Sequence, residues 1–382
     1  MTDQKMSATS TIEISGAGPA GLAAALAISA AGQHAVVYER SADVGHRFHG
    51  DFQGLENWTT REDVLAELAT LGVKPNFQYT PVREFVCFGP GDTQRRFHAS
   101  QPLFYLLRRG PNAGTLDHAL KQQALAAGVE IRFNTRASRL PDGGIVTEGP
   151  HRADIIAVGY LFDTDMADGI YAAVADELAP SGYAYLLVDQ GRGTLATCLF
   201  TDFHNEREYL DRCVAFFDKK VGLRMNNPRR FGGSGNFSLP RRARKNNILY
   251  AGEAAGFQDP LFGFGIRWAL LSGAASGRAL ASGNPAQYEK FWKRRLRAYQ
   301  QTATTNRWFY DRLGNRGYQL TLKRFPEHAD TRAWVRHAYA PRLWKRIWYH
   351  LVASRRSAPL LNINTDCDCT WCRCARRSAP SS

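Results

Sequence analysis

The chain has 382 residues, 44% of them hydrophobic, and a formal net charge of +14. This length and apolar content fit one large domain or two intertwined domains with a buried core. No stretch approaches the roughly 20 apolar residues of a membrane-spanning helix. The polar residues 1–10 do not read as a signal peptide, so we predict a disordered N-terminus and a cytoplasmic protein, with peripheral membrane contact as an alternative.

The positive charge is concentrated at the C-terminal end of the chain. Residues 1–284 hold 29 Lys and Arg against 29 Asp and Glu, whereas residues 285–382 hold 20 against 6. Such an asymmetry indicates a surface for an acidic partner. Phospholipid, nucleic acid and a protein electron donor all stay open, with nucleic acid the least favoured of the three.

The first segment with a chemical signature is a short β-prone run, residues 11–15, followed by a glycine-rich turn and an apolar helix predicted over residues 19–31. In a dinucleotide-binding unit the first glycine makes the turn, the second admits the pyrophosphate, and the third packs the helix on the strand. The helix N-terminus is itself an anion site. We therefore predict cofactor contacts from the turn residues Gly16, Ala17, Gly18, Pro19, Ala20 and Gly21.

A second strand, residues 34–38, ends at Glu39 and Arg40. In this kind of unit an acid at that place holds the ribose hydroxyls. Both residues are therefore predicted cofactor contacts.

The middle of the chain reads as a mixture of helices and strands. We predict helices over residues 61–71 and from residue 116 to about 127, and a hairpin from residues 83–88 and 93–97. Further strands are expected at residues 154–159, 183–188 and 193–200. Alternation along the 183–188 strand places Tyr183, Tyr185 and Leu187 on one face.

A second glycine-rich segment follows a strand near residue 250 and leads into another helix. Its residues Gly252, Glu253, Gly263, Gly265 and Ile266 resemble the second flavin-binding segment of the flavoproteins that include aromatic hydroxylases and geranylgeranyl reductases. The resemblance implies that the acid contacts the ribityl chain of FAD and that the helix N-terminus faces the flavin pyrimidine. The family usually has Asp where this chain has Glu253. FAD is the predicted cofactor, and these five residues are predicted contacts.

The same resemblance implies further site residues. It assigns Arg47 to a loop over the FAD pyrophosphate and Arg109, or alternatively Arg108, to an FAD contact. Residues 180–188 resemble the geranylgeranyl reductase motif P-x-x-Y-x-W-x-F-P, with Pro180 and Tyr183 kept. The motif implies Tyr183, Tyr185 and Leu187 as substrate-binding residues, with the sheet core as the alternative for Tyr185. Tyr183 is the candidate catalytic proton donor.

These features predict an α/β fold with a Rossmann-like FAD-binding domain in three layers, a mixed β-sheet substrate domain and a helical C-terminal part. The FAD-binding domain is predicted over residues 11–82, 110–160 and 240–284, and the substrate domain over residues 83–109 and 161–239. Residues 285–360 form a basic helical region and residues 361–382 a Cys-rich tail. Two apolar stripes are predicted in that region, one at residues 288–296 and one at residues 343–352.

The tail has the spacing C-x-C-x2-C-x-C. Because four thiolates within nine residues can converge on one ion, we predict zinc or an iron–sulfur cluster at Cys367, Cys369, Cys372 and Cys374, with a reduced, unliganded tail as the alternative.

The predicted function is that of an FAD-dependent oxidoreductase, geranylgeranyl-reductase-like, that reduces or oxidises a carbon–carbon bond of a hydrophobic, isoprenoid-like substrate. NAD(P)H or a reduced protein is the transient electron donor. The alternatives are a flavin-dependent monooxygenase or halogenase, and a flavoprotein that acts on nucleic acid or a protein partner. The hydroxylase motif Gly-Ala-Asp-Gly is incomplete after Gly159, which weakens the first alternative.

Overall fold

The structure is a computed structural model that describes residues 11–137, 140–149, 152–237, 242–353 and 361–362. Its strands in chain order are β1 (Thr11–Ser15), β2 (His34–Tyr38), β3 (Phe52–Glu56), β4 (Tyr79–Val82), β5 (Glu84–Phe88), β6 (Gln94–His98), β7 (Phe104–Arg108), β8 (Glu130–Arg132), β9 (Gly144–Val146), β10 (Arg152–Ala153), β11 (Ile155–Asp163), β12 (Gly169–Ala173), β13 (Tyr183–Asp189), β14 (Arg192–Leu199), β15 (Asn226–Gly235), β16 (Arg244–Lys245), β17 (Ile248–Tyr250) and β18 (Leu361–Asn362).

Its α-helices in chain order are α1 (Pro19–Ala30), α2 (Val64–Thr70), α3 (Leu116–Ala126), α4 (Glu206–Val221), α5 (Ile266–Ala281), α6 (Ala286–Phe291), α7 (Arg297–Tyr310), α8 (Gly314–Arg324), α9 (Thr331–Tyr339) and α10 (Leu343–Ala353). A π-helical turn, Trp292–Leu296, joins α6 to α7. Among the residues that the structure describes, no helix combines the length and the apolar character needed to cross a membrane.

A six-stranded sheet supports the first glycine-rich turn. Its order is β16-β17-β9-β1-β2-β8, and every pairing is parallel except that of β16 with β17. α1 leaves the end of β1 and is buried over most of its length because Ala, Leu and Ile occupy nearly all its positions. α5 packs closely on α1, since a Cβ at Gly273 or Gly277 would overlap the backbone of α1. The predicted Rossmann-like α/β class is confirmed.

Two further sheets build the other side of the molecule. The larger has seven strands in the order β15-β11-β14-β13-β12-β5-β6, antiparallel except where β12 meets β5. The smaller is antiparallel, in the order β3-β7-β4. α4 packs on the seven-stranded sheet and shares its apolar core. This is the mixed β part that the sequence predicts.

The strand pairings add detail to the predicted domain division, which stays a prediction. β7 was predicted in the substrate domain but pairs with β3 and β4, outside the seven-stranded sheet. Residues 155–160 were predicted in the FAD-binding domain, yet β11 pairs with β14 and β15. β1 lies between β2 and β9, and β9 is a three-residue strand too short for its sequence pattern to show. Helix α2 also begins later than predicted, because Asp63 caps it by accepting a hydrogen bond from Leu65 N.

The two predicted apolar stripes of the C-terminal region have different environments. Tyr288, Trp292 and Leu296 are buried in the core around the six-stranded sheet, as one-sided spacing usually indicates. In α10, by contrast, Leu343, Trp344, Ile347 and Leu351 are exposed and Val352 is buried. The first stripe is therefore a core stripe, and most of the second faces outward.

Candidate functional site

A cavity of about 1620 Å³ connects both glycine-rich turns with the seven-stranded sheet and the C-terminal helices. This volume exceeds the roughly 300–1,000 Å³ of a site for one drug-sized ligand. Among its lining residues, charged side chains belong to the end near the glycine-rich turns, except Arg230 of β15. The end near α8 and α9 is lined mainly by aromatic and aliphatic residues, with Asn306, Thr321 and Thr331 as uncharged polar exceptions. The cavity can therefore hold a charged dinucleotide and an apolar molecule at once.

The first glycine-rich turn is open toward this cavity. Gly16 has φ +100°, a conformation that favours glycine, and Thr147 donates a hydrogen bond to its carbonyl oxygen at 2.8 Å. A Cβ at Gly18 would meet nothing within 4 Å, whereas one at Gly21 would overlap the Gly16 carbonyl oxygen. No side chain caps the N-terminus of α1. The turn therefore leaves space and unpaired helix amides for an anion.

The carboxylate of Glu39 is held at the end of β2, beside this turn. It accepts hydrogen bonds from the backbone N–H of Ala17 and of Ser41, each at 2.9 Å. Glu39 and Arg40 line the cavity, as do Gly16, Gly18, Pro19 and Ala20. The structure thus brings together the predicted residues of the first motif around one open space, while Ala17 and Gly21 form its supporting backbone.

The second glycine-rich segment forms a braced loop before α5. Gln258 donates to the carbonyl of Gly263 at 2.8 Å, and Gly263 has φ +74°. Gly265 precedes α5, whose N-terminus carries no side-chain cap and borders the cavity. Gly263, Gly265 and Ile266 line the cavity, as does Glu253. Gly252 lies behind them, where a Cβ would contact Ala20 at 2.7 Å.

Asp259 fixes the same loop from inside the protein. Its carboxylate accepts hydrogen bonds from Phe262 N at 2.8 Å, from Leu261 N at 3.3 Å and from the Tyr339 hydroxyl of α9 at 2.8 Å. Burial raises the pKa of Asp259 to about 6, although these hydrogen bonds act in the opposite direction. No sequence pattern predicts the contact with Tyr339, because the two residues are far apart in the chain.

The two predicted arginines have different surroundings. Arg47 reaches across the cavity to Glu253, with 2.9 Å between Nη2 and Oε2. Arg109 is buried and forms two 2.8 Å hydrogen bonds to Asp117, and its guanidinium stacks on the ring of Phe48. Burial lowers the pKa of Arg109, but the Asp117 carboxylate outweighs that effect and the net pKa is raised. Arg109 lines the cavity and also braces the loop that carries Arg47, while Arg108 instead contacts Gln78.

The predicted substrate residues Tyr183, Tyr185 and Leu187 all line the cavity from β13. The Tyr183 hydroxyl donates a hydrogen bond to the carbonyl oxygen of Phe262, in the second glycine-rich loop. Burial raises the pKa of Tyr183 and of Tyr185 well above the ordinary value, so both phenols are neutral at physiological pH. This geometry gives Tyr183 a positioning contact, and its role as proton donor stays a prediction.

An aromatic cluster lines the apolar end of the cavity, and the sequence patterns do not predict it. Phe85 of β5 stacks on Phe97 of β6 at 4.7 Å between centroids, Phe97 lies 4.6 Å from Phe325, and Phe325 lies 5.2 Å from Trp334 of α9. All four residues line the cavity. The hairpin pattern predicts the two strands, but no sequence signal brings α8 and α9 against them.

No metal centre is found in the part of the chain that the structure describes, where no three His, Cys, Asp or Glu side chains converge suitably. The predicted ligands Cys367, Cys369, Cys372 and Cys374 lie outside the described residues. The cysteines Cys87, Cys198 and Cys213 are buried and unpaired, and burial raises the pKa of each thiol to about 12.

The sheet order, the open glycine-rich turn and the second uncapped helix together define the fold of the FAD-binding flavoproteins. The chain is similar to a geranylgeranyl bacteriochlorophyll reductase-like protein from Thermoplasma acidophilum, with a TM-score of 0.68 and 16% identity over 90% of this chain and 96% of the other. It is also similar to a flavoprotein/dehydrogenase from Cytophaga hutchinsonii, with a TM-score of 0.62 and 15% identity over 91% and 100% of the two chains.

A flavin-dependent brominase shows the same fold, with a TM-score of 0.60 and 14% identity over 91% of this chain and 99% of the brominase. No protein-family model and no curated protein sequence matches the chain. The similarities therefore identify the fold.

Proposed function

We propose that the protein is an FAD-dependent oxidoreductase that reduces or oxidises a carbon–carbon bond of a hydrophobic, isoprenoid-like molecule. The observation that carries this proposal is the single cavity that joins two uncapped helix N-termini to an aromatic chamber. The similarity to a geranylgeranyl bacteriochlorophyll reductase-like protein supports it.

The residues of the charged end fit FAD. The α1 N-terminus beside Gly18 would hold the pyrophosphate, and Glu39 would hold the ribose hydroxyls, because its carboxylate is already oriented by two backbone N–H groups. Arg47 and Glu253 pair across the cavity and would rearrange around the ligand. The N-terminus of α5 would favour negative charge on the flavin. Bound FAD supplies two-electron chemistry, in which a hydride passes between flavin N5 and one carbon while a proton is exchanged at the neighbouring carbon.

The protein residues in this scheme bind, orient and exclude water. The Phe85, Phe97, Phe325 and Trp334 cluster offers an apolar chamber without a charged side chain, which suits a hydrocarbon chain better than a polar metabolite. Tyr185 and Leu187 also line the cavity, and the Tyr185 ring lies 6.3 Å from that of Tyr183. Tyr183 holds that loop through Phe262 and is our candidate for the proton donor.

The electrons are supplied from outside the cavity. The sequence contains one dinucleotide fingerprint, which the proposal assigns to FAD. NAD(P)H would therefore bind transiently, or a reduced protein would deliver electrons to the flavin. Reduction of one carbon–carbon double bond consumes two electrons and two protons. Either donor can supply the two electrons.

A flavin-dependent monooxygenase or halogenase is the second candidate. It is favoured by the similarity to the flavin-dependent brominase and to a p-nitrophenol 4-monooxygenase from Pseudomonas putida, the latter with a TM-score of 0.54 and 15% identity over 90% of this chain and 98% of the other. Such an enzyme consumes oxygen as NAD(P)H is oxidised and gives a hydroxylated or halogenated product.

One experiment separates these candidates. The purified flavoprotein is reduced anaerobically with NADH, NADPH or a reduced ferredoxin-type protein, mixed with a lipid extract, and the products are identified by mass spectrometry. Oxidation of the flavin by the extract without oxygen, with a product heavier by two hydrogens, supports a reductase. Reoxidation that needs oxygen and yields a product heavier by one oxygen supports the monooxygenase. A wild-type protein that never takes up FAD refutes both.

We also propose a metal at the four tail cysteines, because soft thiolates select zinc or an iron–sulfur cluster. Anaerobically purified protein is expected to carry about one zinc or one cluster per chain. Replacing the four cysteines with Ser is expected to remove the metal and leave FAD bound. Four freely titrating thiols without zinc or iron would refute this site.

A further inference from the structure

We propose that an exposed apolar face beside the cavity docks this protein on an anionic lipid surface, from which the cavity takes its substrate. This docking face consists of Phe309 of α7 and Leu343, Trp344 and Ile347 of α10, flanked by Arg342 and Arg346. The substrate-entry part rests on the proposed function, whereas the docking part stands on the surface alone.

The outward orientation of α10 is the first observation. Leu343 is 71% exposed, Ile347 56% and Trp344 49%, although Lys345 on the opposite side is only 6% exposed. A helix that only covers a core has the reverse arrangement, with its apolar residues inside. Large apolar side chains that cluster on the surface mark an interaction site, and a Trp-containing basic helix is typical of a membrane interface.

Contact between this face and the cavity is the second observation. Phe309 lines the cavity and is 40% exposed, and its ring lies 6.3 Å from that of Trp344 and 5.8 Å from that of Trp348. Leu313 and Trp334 also line the cavity and are 40% and 46% exposed. The apolar end of the cavity therefore reaches the surface beside the docking face, so a hydrophobic molecule could pass between them without crossing a charged wall.

The charge of the region around the docking face indicates which kind of partner binds there. Residues 285–353 contain 15 Lys and Arg against 4 Asp and Glu. Arg342 and Arg346 are exposed beside the apolar side chains, and Arg312 stacks on Trp308 with 3.7 Å between its Cζ and the ring centroid. A second copy of this face would be repelled, because it carries the same positive charge. Residues 354–382 are also basic, with five Arg against two Asp, so they do not complement it either.

An anionic bilayer surface matches both the charge and the apolar side chains. Lys and Arg side chains near such a surface are attracted by its negative potential, and Trp and aliphatic side chains enter the headgroup region. Nucleic acid would match the charge, but it offers no apolar layer for Leu343 and Ile347.

The test uses the full-length FAD-loaded protein in vesicle flotation. The vesicles are phosphatidylglycerol mixed with phosphatidylcholine, and pure phosphatidylcholine is the uncharged comparison. Two double variants address the face, L343S with I347S and R342E with R346E. Lys345 is left unchanged because its ammonium donates to Asn306 Oδ1 at 2.9 Å and to the carbonyl of Ala338 inside the protein.

The matched control is L125S with R207E, because Leu125 of α3 is 47% exposed and Arg207 of α4 is also exposed. We expect the wild type and the control to float with the anionic vesicles and to be released as salt rises. Each face variant is expected to bind at least about tenfold more weakly, from loss of the surface charge or of apolar burial. The visible absorbance of bound FAD reports that every variant is folded.

Equal binding by the face variants and the wild type overturns the proposal, as does a wild type that binds neither vesicle. Loss of a dimer in sedimentation, without any change in vesicle binding, assigns the face to a second copy and also overturns it. The proposal is also overturned if an oligonucleotide displaces the vesicles and its binding depends on Arg342 and Arg346. A wild type that docks but transforms no lipid keeps the docking face and refutes the proposed function instead.

Discussion

The change Gly18→Val separates cofactor binding from folding. Gly18 has φ −78° and ψ −179°, an extended conformation that valine adopts easily, and a Cβ there meets no protein atom within 4 Å. We therefore expect the apoprotein to be as stable as wild type, or more stable by about 0.4–1 kcal/mol because the unfolded chain loses freedom. The new side chain would nevertheless occupy the space that the FAD pyrophosphate needs beside α1.

The magnitude follows from ligand linkage. At FAD concentrations of about 100 times the wild-type Kd, binding adds roughly 2.7 kcal/mol to the free energy of unfolding. We expect Gly18→Val to lose that increment while its apoprotein unfolds at an unchanged urea midpoint. The assay is urea unfolding with and without FAD, together with quenching of FAD fluorescence on binding.

Gly21→Ala is the matched control, since Gly21 lies in the first turn of α1, three residues after Gly18. Its Cβ would overlap the Gly16 carbonyl oxygen, so we expect the apoprotein itself to lose about 1–3 kcal/mol. If Gly18→Val takes up FAD with wild-type affinity, the assignment of the pyrophosphate to this turn is refuted. If it destabilises the apoprotein as much as Gly21→Ala does, the space beside Gly18 is not open in the way the structure shows.

Three further changes test the buried polar contacts. Tyr183→Phe removes the hydrogen bond to Phe262 and is expected to destabilise the loop by about 0.5–1.5 kcal/mol, whereas a reduction rate at saturating FAD more than a hundredfold lower would support a proton-donor role. Arg267→Met leaves the buried carboxylate of Glu56 without its partner at 2.9 Å, so urea unfolding is expected to show a loss of about 3–5 kcal/mol. The pKa of Asp259 is raised to about 6, so between about pH 4 and pH 6 the folded apoprotein holds a proton that the unfolded chain has released. Its free energy of unfolding is therefore expected to fall by up to about 3 kcal/mol as the pH rises from about 4 to about 6. Asp259→Asn is expected to lack this pH dependence.

Local sequence patterns predict the parts of the site that are built by consecutive residues. The strand, turn and helix around Gly16 and Gly18 follow from composition and spacing, because each residue's role there depends on its immediate neighbours. Glu39 follows from the length of one βαβ unit. The second glycine-rich segment needed a family resemblance, since a loop before a helix has no distinctive periodicity of its own.

Contacts between distant segments could not be predicted in this way. Thr147 supports the first turn from just after a three-residue strand, which is too short to have a sequence pattern of its own. The apolar spacing in α10 is the same for a core helix and for a surface helix. Only the packing of Lys345 and Val352 against the protein shows which side faces inward.

The C-terminal helices contribute directly to the candidate site. Tyr339 of α9 binds Asp259 in the second glycine-rich loop, Gln300 of α7 donates to the carbonyl of Gly256 at 3.2 Å, and Tyr310 donates to the carbonyl of Gly182, next to Tyr183, at 2.7 Å. One helical unit thus contacts the proposed flavin loop, the strand that carries the substrate residues and, through Phe309, the docking face. α10 is joined to this unit by Thr305 of α7, whose hydroxyl donates to the carbonyl of Lys345 at 3.0 Å, so the proposed docking face and the second glycine-rich loop are supported by the same packed helices.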